Sequence, residues 1–256
     1  MSKTLHLVLQ GKGGCGKSFV STLLAQYLLG HLAHETLCID TDPLNDTFHQ
    51  FKALAVERLE LCSGDRASIQ LEAFDHLVET IFQTDAHHIV IDNGAASFLP
   101  LAAYLSSTGV IEQLAQAEIR TIIHCVVAGG PSFVDTLAGL DSLVEAFSHD
   151  AAIVAWVNEY FGAAASEGVR FESLPGVQKV KKKLASIVYL PRYRNPLFES
   201  DIIGSIAARK TLAQVIDDQG ARIMTRQRLL IFKRELFAVL DASLFPLLDS
   251  LKNVAP

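Results

Sequence analysis

Residues 11–18 read Gly-Lys-Gly-Gly-Cys-Gly-Lys-Ser, between a mostly apolar run over 5–10 and a segment of helical period over 18–32. The string fits the spacing G-x-x-x-x-G-K-[ST] in the strand–loop–helix context that gives this spacing meaning. Glycines at 11, 13, 14 and 16 let backbone N–H groups turn inward toward phosphate oxygens with no Cβ in the way. Lys17 brings a cation to the β- and γ-phosphates, and the Ser18 hydroxyl is a magnesium ligand. The helix that starts there adds partial positive charge at its N-terminus. A loop of this kind requires a buried strand feeding a helix at the carboxyl end of a sheet.

The rest of the chain supplies such a sheet. Strand-length apolar runs at 36–40, 88–92, 120–128, 152–158 and 186–190 alternate with helical periods at 68–83, 98–117 (interrupted at 107–109) and 131–148. Residues 201–251 read as mostly helical, with Pro246 breaking the end. Alternation of this type predicts a mostly parallel sheet flanked by helices, an α/β P-loop NTPase fold. With 256 residues and half of them hydrophobic, the expectation is one domain over 1–256.

Composition narrows the function. The formal net charge is -6, so a coat of nucleic acid held by charge alone is excluded and any DNA contact needs a local patch. Lys179, Lys181, Lys182 and Lys183 form one basic run, read as a solvated helix face, with a patch for DNA or a partner protein as the sharper alternative. Cys15, Cys38, Cys62 and Cys125 are dispersed without a CxxC pair, which removes a zinc or iron–sulfur signal and suits a reducing compartment. The first ten residues read as a strand rather than a signal peptide, and no run reaches the roughly 18 apolar residues of a membrane span. A cytoplasmic protein is expected, with membrane contact disfavoured.

Acid groups stand where a phosphate site needs them. Asp40 and Asp42 project the same way at the end of the second strand, and Asp92 ends the strand over 88–92. His87 and His88 carry no acid–His–acid spacing and read as turn and edge residues.

Lys12, directly after the first glycine, gives the form K-G-G-x-x-G-K-[ST]. In this the chain resembles the ParA/MinD family of deviant Walker A ATPases. The resemblance implies ATP and Mg²⁺ as cofactors, slow hydrolysis and a nucleotide-dependent homodimer in which Lys12 reaches the partner's nucleotide. It implies nucleotide contacts from Gly11, Lys12, Gly13, Gly14, Cys15, Gly16, Lys17, Ser18 and Phe19, and a catalytic set of Lys12, Lys17 and Asp42. Asp42 is assigned to the hydrolytic water, and Asp40, with Ser18 and Asp92, to the magnesium shell; the roles of Asp40 and Asp42 are interchangeable on sequence grounds. Asn158 falls where the family meets the adenine edge, and Pro191 where its base-flanking loop begins. No [NT]-K-x-D guanine signature follows.

The segments QGKGGCGKS, LCIDTDPLNDTF, VIDNGAASF, WVNEYFG and IMTRQRL resemble a narrower branch, the nucleotide-binding proteins encoded in transfer regions of conjugative plasmids. A conjugation or plasmid-transfer protein is the partner that branch implies. Phe19 stands where many relatives carry a second hydroxyl, and Leu44 replaces the usual glutamine after D-x-D-P. These departures keep open an adaptor that binds nucleotide without hydrolysing it. The basic–apolar segment 226–240 raises a MinD-like membrane switch, against the expectation that it docks on the domain. Cys15 reads as a small filler, with a reactive low-pKa thiol as the alternative.

Overall fold

The protein is described by a computed structural model over residues 3–62 and 69–249. β1 (Lys3–Leu9) enters a loop that ends in α1 (Lys17–Gln26), and β2 (Thr36–Asp40) and the two-residue β3 (Glu57–Arg58) follow. Then come α2 (Leu71–Gln83), β4 (His88–Asp92), α3 (Phe98–Thr108), α4 (Val110–Gln116), β5 (Ile119–Ala128), α5 (Phe133–Phe147) and β6 (Ala152–Asn158). A small hairpin of β7 (Ala165–Ser166) and β8 (Val169–Arg170) precedes α6 (Pro175–Lys181) and β9 (Ser186–Tyr189). The chain then continues through α7 (Pro196–Ala207), α8 (Leu212–Asp217), α9 (Ile223–Ser243) and α10 (Phe245–Asp249).

Seven strands form one sheet in the order β3-β2-β4-β1-β5-β6-β9, with every neighbouring pair parallel. Continuous apolar strands are the signature of a sheet covered on both faces. Leu5, Leu7 and Leu9 pack with Phe74 of α2, Leu101 of α3, Leu114 of α4 and Leu140 of α5 on one face. Val8 packs with Leu23 and Leu24 of α1 and with Phe232, Leu236 and Leu240 of α9 on the other. Residues 226–240 are therefore docked through their apolar side, as expected. No helix among the described residues is long and apolar enough to cross a membrane.

Several local expectations change. The helix expected over 18–32 loses α-helical pitch at Tyr27 and finishes as a wider π turn over Tyr27–His31. The expected break at 107–109 is real, since Gly109 adopts φ 66° between α3 and α4. The helix expected from residue 68 begins at Leu71, and position 68 lies outside the described residues, as do 250–251. Pro246 does not end the helical region. The break lies at Leu244, and Pro246 occupies the first turn of α10, where a missing N–H costs no hydrogen bond.

His88 is not an edge residue. It is buried in β4 and belongs to a file of four histidines on the α1/α9 side of the sheet. The Trp156 indole donates to His124 Nδ1 at 2.9 Å, His124 Nε2 meets His6 Nδ1 at 2.9 Å, His6 Nε2 meets His88 Nδ1 at 3.1 Å, and His88 Nε2 meets His34 Nδ1 at 2.9 Å. An indole only donates, and a neutral imidazole carries one donor and one acceptor. The tautomers follow in sequence: His124, His6 and His88 each hold the proton on Nε2. Burial keeps these rings neutral, with His124 pushed down to about 3, His88 to about 4, and His6 well below its ordinary value, the neighbouring histidines adding to the fall for His6 and His88.

Candidate functional site

The carboxyl ends of β1, β2, β4, β5 and β6 meet at the loop over residues 11–18. Gly14 and Gly16 take φ 72° and 106°, a region that L side chains rarely enter. Gly16 caps α1, and a Cβ there would stand 2.9 Å from Asn158 Nδ2. Glycine is thus required both by backbone angle and by the approach of β6.

The two lysines of the loop are held differently. Lys17 is only 7% exposed, and its ammonium donates to Lys12 O at 3.1 Å, so its charge lies inside the curve of the loop. Lys12 points outward to α5, where Nζ donates to Asp135 Oδ2 at 2.7 Å. Gln10 fastens the start of the loop to β5 and α5, donating to Val126 O at 2.9 Å and Thr136 O at 3.0 Å. The Cys15 thiol is buried and its pKa is raised by burial, which supports the filler role over a reactive one.

Asp40 and Asp92 are register partners on adjacent strands, and both are buried. The Asp92 carboxylate accepts from Ser21 Oγ at 2.8 Å and also bonds the Ser18 hydroxyl. Burial pushes Asp92 up to about 7, the two serine hydroxyls oppose this, and the charge of Asp40 adds to it. Asp40 is also raised by burial, although it accepts N–H bonds from Asp42 at 3.0 Å and His49 at 2.9 Å. Asp42 sits against Gly94, where a Cβ would stand 2.6 Å from its carboxyl carbon. Its carboxylate caps the following turn, accepting from Leu44 N at 2.9 Å and Asn45 N at 3.2 Å.

No group of three or more His, Cys, Asp or Glu able to hold a metal forms among the described residues. Ser18, Asp92 and Asp40 nevertheless fit a magnesium ion. It is a hard cation that takes one or two carboxylates and fills its shell with phosphate oxygens and water. Two buried carboxyls, both raised by burial and one raised further by the charge of the other, are the electrostatic counterpart of such a cation.

Beside the loop lies an apolar cavity of about 360 Å³, whose lining includes Gly14, Gly16, Phe19, Asn158 and Pro191. Five of the eleven sequence-derived nucleotide residues thus line one cavity from three separate stretches of chain, while Gly11, Lys12, Gly13, Cys15, Lys17 and Ser18 lie in the loop but not on the cavity walls. Asn158 donates to Cys15 O at 3.1 Å, and its own Oδ1 accepts from Tyr160 N at 3.1 Å. Asp42, Asp40 and Asp92 lie on the other side of the loop and do not line the cavity. The remaining walls were missed by sequence reasoning: Tyr160 and Phe161 after β6, Arg192 and Tyr193 after β9, Ile202 and Ile206 of α7, and Phe232 of α9. The segments WVNEYFG and 226–240, singled out above on other grounds, contain Tyr160, Phe161 and Phe232.

No family model matches the chain. It is 41% identical over 239 residues to Protein TraL of Escherichia coli, covering 93% of this chain and 98% of that protein. A second Escherichia coli Protein TraL is 40% identical over 237 residues, with 93% and 97% covered. Among solved structures, the ParA family ATPase of Chlorobium tepidum TLS superposes with a TM-score of 0.52 at 15% identity, over 92% of this chain and all of that one. A chain of the MinC:MinD cell division protein complex of Aquifex aeolicus gives 0.50 at 15% identity, over 93% and 96%. At that identity the two structures speak for the fold, and the sequence relatives for the family. The chain belongs to the TraL family, on the ParA/MinD type of P-loop fold.

Proposed function

We propose that the protein binds MgATP, hydrolyses it slowly and uses the bound triphosphate to close as a homodimer that serves conjugative DNA transfer. One observation carries the reading: the apolar cavity opens directly onto the glycine loop, with Gly14 and Gly16 lining both. A base seated beside Asn158 and Pro191 leads its phosphates along the N–H groups of residues 13–18 to the Lys17 ammonium. Arg192, on the cavity wall, adds a cation to the lining.

Each residue has a defined task. Lys17 and the loop amides neutralise the phosphate oxygens. Ser18, Asp92 and Asp40 would hold magnesium, which would supply charge neutralisation for the phosphates. Asp42 orients a water for attack on the γ-phosphorus, and the bond to the bridging oxygen breaks to give ADP and phosphate. Lys12 leaves Asp135 and crosses to the partner's triphosphate. The γ-phosphate is the contact that differs between the ATP and ADP states, so it can shift the equilibrium.

Titration of the full chain with MgATP tests this. Saturable binding of one nucleotide per chain is expected, with Lys17→Ala weakening it by roughly a hundredfold through loss of a charged phosphate contact. Equal affinity in the two proteins would contradict the reading.

A second reading, a nucleotide-dependent adaptor that does not turn over, is favoured by Asp42. Its carboxylate is engaged by Leu44 N, Asn45 N and the Asn45 side chain rather than directed at the loop. Phosphate release by the wild type and by Lys12→Ala, across protein concentrations, separates the two: the switch turns over, the adaptor does not.

A further inference from the structure

The segment IMTRQRL opens α9, and none of its residues touches the loop or lines the cavity. Its side chains instead converge on the helix that forms the cavity's far wall. Arg228 Nε donates to Asp201 Oδ2 at 2.5 Å, and Thr225 Oγ1 donates to Asp201 Oδ1 at 3.0 Å. The pair is 14% and 15% exposed, unlike the surface ion pairs elsewhere in the chain. Arg226 Nε donates to Ile216 O at 2.7 Å and so fixes α8 against α9 itself.

Asp201 occupies the middle of α7, between Glu199 and the pair Ile202–Ile203, and Glu199, Ile202 and Ile203 all line the cavity. One turn further along α9, Phe232 lines the cavity directly, and Glu235 accepts from the Tyr193 hydroxyl in the loop after β9. α9 thus grips the base end of the pocket at two walls, through Asp201 and through Tyr193. Among the described residues, no side-chain hydrogen bond or ion pair joins α9 to the loop over 11–18.

We infer that Asp201, clamped by Arg228 and Thr225, is a positioning residue for the base of the nucleotide. It sets α7 at the distance from Asn158 and Pro191 that a purine requires, while the glycine loop binds phosphates independently of it. The inference rests on the nucleotide reading given above. A half-buried ion pair is suited to the task, because losing one partner leaves an uncompensated charge and shifts the helix that carries it. A wall displaced by even a fraction of an ångström loses contact with a flat ligand.

The test compares two probes on the full chain: MgATP, and inorganic tripolyphosphate with magnesium, which has phosphates but no base. Asp201→Asn weakens ATP binding by about tenfold, because orientation at the base end is lost, and leaves tripolyphosphate within about twofold. Thr225→Val, a smaller change that decides the matter if Asp201→Asn does not fold, weakens ATP alone by about threefold. Unchanged ATP affinity in a folded variant overturns the inference. A parallel loss of both probes also overturns it, since that is the mark of a general structural role. Failure of the nucleotide reading itself looks different: the wild-type chain then binds neither probe.

Discussion

Lys12 Nζ lies 2.7 Å from Asp135 Oδ2 of the same chain, so the lysine proposed to serve a neighbour is held at home by an acid at the start of α5. The two side chains are 42% and 58% exposed, which limits the pair to about 1 kcal/mol at most. A weak tether suits a group that has to let go. Asp135→Asn is expected to lower the concentration of a non-hydrolysable ATP analogue needed for dimerisation, by up to about fivefold. Sedimentation velocity across an analogue series reads this directly. A higher requirement would mean that Asp135 supports the dimer instead.

Gly94 separates binding from hydrolysis. Because a Cβ at this position collides with the Asp42 carboxyl, Gly94→Ala displaces Asp42 while leaving the glycine loop and cavity untouched. Phosphate release should fall by about tenfold or more, with ATP affinity within about twofold. Unaltered turnover would remove Asp42 from the catalytic set.

The histidine file makes acid stability a property of the sheet. His6, His88 and His124 are neutral when folded and titrate near 6.5 when unfolded, so the unfolded chain takes up more protons as pH drops. Their stabilisation is complete above pH 6.5 and is lost toward pH 4, at up to about 1.4 kcal/mol per pH unit for each ring. Asp40 and Asp92, raised by burial, favour the fold as they protonate and oppose this trend. Three rings outweigh two carboxyls, so urea midpoints should be lower at pH 5 than at pH 7.5. A rising midpoint on acidification would show that the file is not neutral.

Thiol reactivity gives an independent check on the packing. Cys15, Cys38 and Cys125 are buried with their thiol pKa values raised, whereas Cys62 is half-buried. A disulfide reagent should modify one thiol of the native chain, mapped to Cys62 by mass spectrometry, and all four only after unfolding. Rapid labelling of Cys15 would contradict the buried loop.

The sequence was most readable where burial imposes a pattern. β2, β4 and β6 are short apolar runs closed by Asp40, Asp92 and Asn158, and that pattern gives their bounds. The glycine loop was legible because phosphate chemistry fixes its residue types one by one. β3 and the β7–β8 hairpin, of two residues each, are too short to carry a period. The histidine file was invisible for another reason. His6, His88 and His124 are scattered in sequence, and only the parallel registers of β1 with β4 and β5 bring their rings together. The cavity's outer walls depend on where α7 and α9 settle, a tertiary matter that propensity does not encode. Lys12 stands out in the glycine motif, but its partner Asp135 lies 123 positions away and has no motif.

The switch itself is tested most directly by the mass of the full chain in solution with MgADP and then with magnesium and a non-hydrolysable ATP analogue. The account predicts a species near 27.9 kDa with ADP and one of twice that mass with the analogue. The same mass with both nucleotides, each shown to be bound, would contradict it.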